Sequence, residues 1–299
     1  MTAEMTATCP HCAYPVLQDE TFCEECGRAI HAGTPGACAS CGAGASEVGA
    51  DGYCGRCGVR QPAPRDHLEV ETGSAAGVSD RGLRHSRNED SMALMEVDEY
   101  VTVGVVCDGV SSSPRPDNGS QAAAETGAAT LVKELRAGAG HVEATRAAVA
   151  RAAEAIAALG TYEDAPACTY VSAIVAPGRV TIGWVGDSRA YWLGPRPVRL
   201  TSDDATETGM LTAWLGADAG EVIPQVSTFE PDTPGVVLVC SDGLWNYLPT
   251  AEEMAAAAPG AATAPLATAQ ALVRHALESG GRDNITVLVI PYGRGSAIQ

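Results

Sequence analysis

The chain alternates between apolar runs of strand length and short polar turns over most of its length. Residues 101–110 and 235–244 are the clearest runs, because most of their positions are apolar and many are β-branched, which predicts two buried strands. Each run closes on an aspartate followed by a glycine, at Asp108-Gly109 and Asp242-Gly243. Both predicted strands therefore deliver a carboxylate where they end.

The same pattern predicts further elements, which short turns connect. Strands are predicted within residues 68–78 and at 169–176, 179–185, 190–193, 222–229 and 285–291. Helices are predicted from a cap at Asn118 or Ser120 to about residue 137, and at 141–159, 250–258 and 265–279, with a flap containing a small helical piece at 201–218. Because the turns between successive strands are short, we expect antiparallel sheets.

Two more acidic segments border the predicted core strands. Asn88-Glu89-Asp90 lies upstream of the first run, and Asp283-Asn284 comes immediately before the last strand. Carboxylates attached to core strands suggest a cluster of hard oxygen ligands, which Mg²⁺ and Mn²⁺ prefer. Each aspartate taken singly also fits a solvated turn, because Asp-Gly is a common turn pair.

The segment between residues 79 and 91 is unusually basic for this acidic chain. It carries Arg81, Arg84, His85 and Arg87. A loop that faces a phosphate beside a metal centre needs such side chains. A solvated charged hairpin would show the same pattern, and the segment alone does not separate the two interpretations.

Charge narrows the choice of partners. The chain has 299 residues, of which 45% are hydrophobic, and a formal net charge of −18. Nucleic-acid backbones and anionic membranes attract basic surfaces, so neither is expected as the main partner. No run reaches the roughly 18 apolar residues that span a bilayer, and no basic flank followed by an apolar stretch stands near the first residue, so we expect a cytoplasmic protein.

Eight of the eleven cysteines fall within the first 57 residues, in four Cys-x-x-Cys pairs. In a reducing compartment such pairs are more often metal ligands than disulfides, and two pairs supply the four sulfurs of a tetrahedral zinc site. The duplicated spacing predicts two structural zinc ions, whether the pairs join in tandem or interleave. The ligands are Cys9, Cys12, Cys23, Cys26, Cys38, Cys41, Cys54 and Cys57.

These cysteines define a small first domain. It resembles a double zinc ribbon in phrases such as Cys9-Pro10-His11-Cys12. We place it at residues 1–60, followed by a proline-containing linker at 61–67, a large domain at 68–293 and a disordered tail at 294–299. The ribbons carry more acids than arginines, so we expect them to contact a protein partner rather than nucleic acid.

Several short motifs follow one another through the large domain. They are Asp80-x-Gly82 with Asn88-Glu89-Asp90, Asp108-Gly109, Gly186-Asp187-Ser188-Arg189, Ser241-Asp242-Gly243-Leu244 and Gly281-Arg282-Asp283-Asn284. In order and spacing the set resembles the metal-dependent protein serine/threonine phosphatases of type 2C, over roughly residues 70–292. The resemblance implies an α+β fold in which two antiparallel β-sheets form a sandwich flanked by helices on both faces.

The resemblance also implies a mechanism and a phosphorylated protein as substrate. A water or hydroxide that bridges two Mn²⁺ or Mg²⁺ ions attacks phosphoserine or phosphothreonine directly, without a phosphoenzyme. It implies that Asp108 bridges both ions and that the Gly109 carbonyl and Glu89 serve one of them. Asp242 and Asp283 would serve the other.

Two more carboxylates have implied roles. Asp90 would hold the ligand-bearing loop or a bound water in place, and Asp164 stands where family members bind a third, weaker ion. The phosphate-binding position departs from the family pattern, because His85 stands where the family usually has an arginine. Arg84, Arg87 or a protonated His85 would then hold the substrate phosphate.

The chain departs from the family pattern at other positions too. A Val-Ser-Ser-Ser turn at residues 110–113 replaces a glycine-rich turn with a histidine, Asp204 replaces a frequent histidine, and Ala213 replaces a common arginine. Two alternatives therefore stand beside the phosphatase interpretation. One is a catalytically weak or inactive phosphoprotein-binding scaffold, and the other is a two-metal enzyme for small phosphate esters or nucleotides.

Overall fold

The computed structural model describes residues 7–8, 15–16, 38, 40–49 and 52–293. The chain divides into two compact units, Met1–Ala63 and Pro64–Gln299. The predicted zinc ligands Cys9, Cys12, Cys23 and Cys26 and the predicted tail at 294–299 lie outside the described residues.

The described part of the first unit contains short pieces of regular structure. Two-residue strands at Ala7–Thr8 and Pro15–Val16 pair with each other, and a 3₁₀ turn spans Ala45–Glu47. Isolated bridges join Val48 to Cys54 and Tyr53 to Arg60. Such elements bury little apolar surface, so metal binding is expected to contribute most of the folding free energy of this unit.

The second unit is built around antiparallel strands. In chain order these are β1 (His67–Glu71), β2 (Ala76–Asp80), β3 (Ser91–Glu96), β4 (Thr102–Cys107), β5 (Ala167–Cys168), β6 (Tyr170–Ala176), β7 (Arg179–Val185), β8 (Arg189–Leu193), β9 (Val198–Arg199), β10 (Leu215–Gly216), β11 (Gln225–Phe229), β12 (Gly235–Cys240) and β13 (Ile285–Tyr292). One sheet has the order β9-β8-β12-β13-β2-β1 and the other the order β11-β7-β6-β4-β3. A small third sheet pairs β10 with β5.

The described part of the second unit has five α-helices, four of which lie in predicted segments to within a few residues at each end. They are α1 (Pro116–Arg136), α2 (His141–Ala157), α3 (Asp242–Trp245), α4 (Ala251–Ala257) and α5 (Pro265–Glu278). Proline begins α1 and α5, where its missing N–H costs nothing. Thr250 and Glu253 form a reciprocal capping box at the start of α4. No helix in the described residues is both long and apolar enough to cross a bilayer.

The apolar core lies in three layers. Side chains from both large sheets, such as Val106, Val171 and Leu288, pack in the middle. One outer layer packs α4 and α5 on the six-stranded sheet, and the other packs α1 and α2 on the five-stranded sheet. The predicted sandwich of two antiparallel sheets flanked by helices is therefore confirmed.

Some local predictions were wrong. The stretch predicted to contain one first strand holds a hairpin of β1 and β2, and β3 was missed. The predicted cap at Asn118 or Ser120 lies inside α1, which begins at Pro116 after Arg115 in a left-handed conformation with φ 50°. The flap at residues 201–218 contains turns, a bridge and β10 but no helical piece, because its polar residues bond to the loop itself and to Gly186.

Candidate metal centre and active site

Antiparallel pairing brings the acidic segments to one end of the sandwich. Asp108 follows β4, and its neighbour Cys107 pairs with Ser91 at the start of β3, directly after Asp90. Asp242 follows β12, whose Cys240 pairs with Val287 of β13, close to Asp283. Carboxylates that are far apart in the sequence therefore converge where four strands begin or end.

Burial and mutual repulsion disfavour the charged forms of these carboxylates. Burial raises the pKa of Asp90 to about 7, and the nearby charge of Asp283 adds to the effect. Burial also raises the pKa of Asp242 to about 7, again with Asp283 contributing. The pKa of Asp108 lies well above its usual value because of burial and the charges of Asp90 and Asp242. Without a cation, this cluster cannot carry all of its negative charges at neutral pH.

Two carboxylate oxygens in the cluster are buried without a hydrogen-bond partner in the described structure, Oδ1 of Asp90 and Oδ1 of Asp242. Buried polar atoms in folded proteins nearly always have a partner, so each orphan calls for a ligand. The atoms available as metal ligands are carboxylate oxygens and the Gly109 carbonyl oxygen, which suit a hard divalent cation. The residues present therefore fit a Mg²⁺ or Mn²⁺ centre.

Gly109 lies where three backbone segments approach one another closely. A Cβ built at this position would lie 2.6 Å from the Glu89 carbonyl oxygen and 2.7 Å from the Pro116 carbonyl oxygen. Its own N–H donates to the Glu89 carbonyl at 3.2 Å. Only glycine permits so close an approach of three backbone segments.

Hydrogen bonds fix the loop at residues 88–91, which we call the carboxylate loop. Asn284 Oδ1 accepts from the Glu89 N–H at 2.7 Å, and Asn284 Nδ2 donates to the carbonyls of Arg81 and Arg87. Ser241 Oγ donates to Asp90 Oδ2 at 2.7 Å. The residues beside Asp242 and Asp283 thus hold the loop that carries Glu89 and Asp90.

The predicted phosphate-binding residues differ in how far nearby carboxylates already occupy them. Both ring nitrogens of His85 face carboxylates, with Nε2 3.1 Å from Asp283 Oδ1 and Nδ1 3.8 Å from Glu89 Oε2. Arg87 is half-exposed and lies 3.3 Å from Asp117 and 3.7 Å from Glu89. Arg84 is exposed and forms no ion pair with the described residues. Its guanidinium is therefore the one most available to an incoming anion.

The departures from the family pattern have local explanations. Ser111, in the turn without a histidine, donates to Glu89 Oε2 at 2.5 Å. Asp204 Oδ2 accepts from the Gly186 N–H at 3.0 Å, so this aspartate anchors the base of the flap. Ala213 packs against the layer of α1 and α2. Asp164 is exposed, and its carboxylate pairs with Arg115 at 2.7 Å.

Sequence reasoning assigned no role to Asp187 and Arg189, although it quoted their motif. Burial raises the pKa of Asp187, and the Asp203 charge adds to this effect. Arg189 binds Asp203 through two parallel hydrogen bonds of 3.0 and 2.7 Å and lies 3.5 Å from the Trp245 ring centroid. A bidentate, stacked arginine rigidly attaches the flap to the end of β8.

The family assignment follows from a comparison with known proteins. The family model described as Protein phosphatase 2C matches residues 81–278, which include Glu89, Asp90, Asp108 and Asp242 and end just before Asp283. The chain belongs to the protein phosphatase 2C family. Members of this family are metal-dependent phosphoprotein phosphatases, which agrees with the all-oxygen cluster described above.

Individual relatives support the same assignment. A serine/threonine phosphatase of Listeria monocytogenes serovar 1/2a is 29% identical over 246 residues, which cover 71% of this chain and 93% of the relative. The corresponding Listeria innocua protein is 28% identical over 242 residues, with the same shares of both chains covered.

Solved structures show the same fold. The Mycobacterium tuberculosis serine/threonine phosphatase superposes with a TM-score of 0.57 at 24% identity, covering 74% of this chain and 98% of that one. The Staphylococcus aureus phosphatase Stp1 superposes with a TM-score of 0.63 at 20% identity, covering 77% and 98%. At these identities the likeness concerns the fold alone.

A second candidate metal site lies in the first unit. The Sγ atoms of Cys38, Cys41, Cys54 and Cys57 all lie within 4.8 Å of one another. The Cys41 N–H approaches Cys38 Sγ at 3.5 Å and lowers the pKa of that thiol to about 6. Four sulfurs at this separation are compatible with a zinc ion, and these two Cys-x-x-Cys pairs come together in tandem.

Proposed function

We propose that this protein hydrolyses phosphoserine and phosphothreonine in proteins with two Mn²⁺ or Mg²⁺ ions at the carboxylate cluster. The observation that carries the proposal is the pair of buried, unpartnered oxygens on Asp90 and Asp242 inside a domain of the protein phosphatase 2C family. When bound, such ions would lower the pKa of a coordinated water and supply positive charge that offsets the negative charge on a reacting phosphoryl group.

The residues of the chain divide into holding and positioning roles. We assign Asp108 to both ions, the Gly109 carbonyl and Glu89 to one, and Asp242 with Asp283 to the other. Asp90 holds the carboxylate loop through its hydrogen bond from Ser241 and keeps its second oxygen free for a water. A third, weaker ion is assigned to Asp164, which must first release Arg115.

The substrate phosphate needs cationic donors beside the cluster. Arg84 is exposed and has no carboxylate partner among the described residues, so we assign it the main contact. Arg87 is half-exposed and can turn from Asp117 towards a phosphate. His85 contributes less directly, because both of its nitrogens already face carboxylates.

The names of relatives support protein substrates. The Listeria relatives are called serine/threonine phosphatases, and a Mycobacterium smegmatis Ser-Thr phosphatase, 25% identical with a TM-score of 0.59, was solved in complex with cacodylate. We extend the serine/threonine specificity to this chain. We also propose that it acts in the cytoplasm.

The first unit is proposed to be a double zinc ribbon that binds a protein partner. The tandem cluster of Cys38, Cys41, Cys54 and Cys57 would hold one structural zinc, and the corresponding earlier cysteines would hold the second. The domain limits follow from this proposal: ribbons at residues 1–60, a linker at 61–67 and the phosphatase domain at 68–293. Measuring the zinc content of the purified chain tests it, with two ions per chain expected.

The test of the phosphatase is hydrolysis of a phosphothreonine peptide while Mn²⁺ is titrated from zero, with zinc-loaded wild type beside Asp242→Asn. Asp232→Asn is the matched control, because Asp232 is exposed and precedes β12, whereas Asp242 follows that strand. We expect Mn²⁺-dependent turnover in the wild type and the control, and at least a hundredfold loss in Asp242→Asn, the order of effect of losing one electrostatic stabiliser.

The alternative functions predict other outcomes. Mn²⁺ binding without turnover at any pH would favour a phosphoprotein-binding scaffold and contradict the proposed enzyme. Turnover of small phosphate esters but not of the phosphopeptide would contradict the proposed substrate class. Both ring nitrogens of His85 face carboxylates, which leaves this side chain less able to bind phosphate. This observation is the reason for testing the scaffold alternative.

A further inference from the structure

Arg65 lies at the very start of the second unit, in the 3₁₀ turn Pro64–Asp66, within the segment predicted from the sequence to be a linker. It precedes residues 81–278, the part of the chain that matches the family model. By position it resembles a solvated linker residue. The structure instead places its guanidinium among acceptors that belong to the active-site end of the domain.

The guanidinium of Arg65 joins two elements. Nη2 donates to the Asp90 carbonyl at 3.1 Å and to Ser91 Oγ at 2.7 Å, both in the carboxylate loop. Nη1 donates to the Asp117 carbonyl and to Gln121 Oε1, both at 3.0 Å, in the first turns of α1. Because the guanidinium is planar and its N–H donors have a fixed geometry, it can hold both sets of acceptors in one relative position.

The carboxylate loop also holds Arg65 in return. Asn88 Nδ2 donates to the Arg65 carbonyl at 3.1 Å and to Ser79 Oγ at 2.8 Å. The side chain and the backbone of Arg65 therefore contact both ends of the loop. This mutual attachment leaves the loop little freedom to move away from the centre.

The loop needs such a restraint. Asp90 lies beside Ser241 and Asp242, and negative charges held this close together repel one another and oppose the loop's position when no cation is present. Arg65 acts from the backbone side of the loop, where it can counter that repulsion without touching the carboxylates. A loop held in place before the metal arrives loses less conformational freedom on binding.

We propose that Arg65 is a positioning residue for the metal centre, which preorganises the carboxylate loop for the divalent cations. This inference rests on the proposed function, because it takes Glu89 and Asp90 to serve the metal site. Residues that orient metal ligands typically change metal affinity by about tenfold to a hundredfold when they are removed. Arg65 is expected to act on metal affinity rather than on contacts with the phosphopeptide.

The test compares Arg65→Met and Arg65→Lys with wild type in the full zinc-loaded chain. Arg65→Met keeps the apolar stem, and Arg65→Lys keeps the charge without the planar fork. Arg146→Met on the exposed face of α2 is the matched control. Mn²⁺ affinity is measured by calorimetric titration, and kcat and KM for a phosphothreonine peptide are measured at saturating Mn²⁺.

We expect the Mn²⁺ dissociation constant to rise about tenfold in Arg65→Met and by a smaller factor in Arg65→Lys, with no change in the control. At saturating Mn²⁺ the KM for the peptide should match that of the wild type. A purely structural anchor would lower the melting temperature equally with and without Mn²⁺ and leave the dissociation constant unchanged.

A dissociation constant within twofold of the wild-type value in both Arg65 variants would overturn the inference. If Arg65→Met does not fold, the same titration of Arg65→Lys decides the matter. Failure of the proposed function is distinguishable, because the wild type itself would then bind no Mn²⁺ or would show no turnover.

Discussion

Asn284 and Glu89 are 195 residues apart, yet the side-chain oxygen of Asn284 accepts the Glu89 N–H at 2.7 Å. The amide nitrogen of Asn284 donates to the Arg81 and Arg87 carbonyls. One buried side chain therefore connects the start of β13 to the arginine-containing segment before residue 88 and to the carboxylate loop. This connection places Glu89 near the segment that carries Asp283.

The first prediction concerns this connection. Asn284→Ala leaves the buried Glu89 N–H and the carbonyls of Arg81 and Arg87 without this partner, and each buried polar group left unsatisfied typically costs about 1 to 3 kcal/mol. We expect unfolding free energy to fall by about 3 kcal/mol and Mn²⁺ affinity to fall with it, measured by urea titration and calorimetry. Asn118→Ala is the control, because Asn118 is exposed on α1, and a loss of equal size there would contradict the prediction.

The second prediction concerns pH in the absence of divalent metal. The folded-state pKa values of Asp90 and Asp242 are raised from 3.8 to about 7, so the folded protein retains protons that the unfolded chain releases. Unfolding then releases protons between about pH 4 and 7, and the free energy of unfolding falls as pH rises through that range. Added Mn²⁺ should remove this decline, because it stabilises the charged forms.

Tryptophan fluorescence measures this effect in the second unit alone, since Trp184, Trp192, Trp214 and Trp245 are the four tryptophans of the chain. Urea titrations in chelator at several pH values should show the decline in wild type. Asp242→Asn should reduce it, because one titrating carboxyl is gone. Stability that rises between pH 4 and 7 in the wild type would show that the carboxylates are not held close together.

The third prediction concerns the attachment of the flap. Arg189 is buried, and Arg189→Leu would leave the Asp203 carboxylate without its bidentate partner, which typically costs about 3 to 5 kcal/mol for a buried pair. The double change with Asp203→Leu should recover part of that loss in a thermal unfolding cycle. Arg199→Leu should cost under about 1 kcal/mol, since Arg199 is more exposed and lies 3.5 Å from Asp203.

The fourth prediction concerns backbone space in the centre. Gly109→Ala would place a Cβ within 2.7 Å of two carbonyl oxygens, so the ligand-bearing turn must shift. We expect the Mn²⁺ dissociation constant to rise at least tenfold and peptide turnover to fall. Gly73→Ala is the control, because its Cβ meets only the flexible end of Glu96 at 3.2 Å. Equal effects of the two changes would contradict the proposed role of Gly109.

Sequence patterns predicted the strands whose side chains are buried on both faces. β4 and β12 are continuous apolar runs that end in Asp-Gly, so both the strands and their carboxylates could be placed without a structure. β3 could not be placed in the same way, because Ser91–Glu96 contains Met, Ala and Glu, which favour helices in isolation. Its pairing with β4 makes it a strand, and pairing between distant segments is not a local signal.

The carboxylates proposed as metal ligands could be predicted more readily than the residues that hold them in position. Asp108, Asp242 and Asp283 stand at strand ends, a position that sequence alone reveals. Arg65 resembles a linker residue, and its hydrogen bonds to Asp90 and Ser91 exist only because the fold brings residue 65 to the carboxylate loop. The side chain of His85 faces Asp283 for the same reason.

The position of β13 has a consequence for biosynthesis. This strand pairs with β12 on one side and β2 on the other, in the interior of the six-stranded sheet, and Asp283 and Asn284 directly precede it. A nascent chain that has not yet released these residues from the ribosome lacks both a proposed metal ligand and the strand that connects the two halves of its sheet. Phosphatase activity should therefore begin only after synthesis has passed β13, so that incomplete chains cannot remove phosphate from cellular proteins.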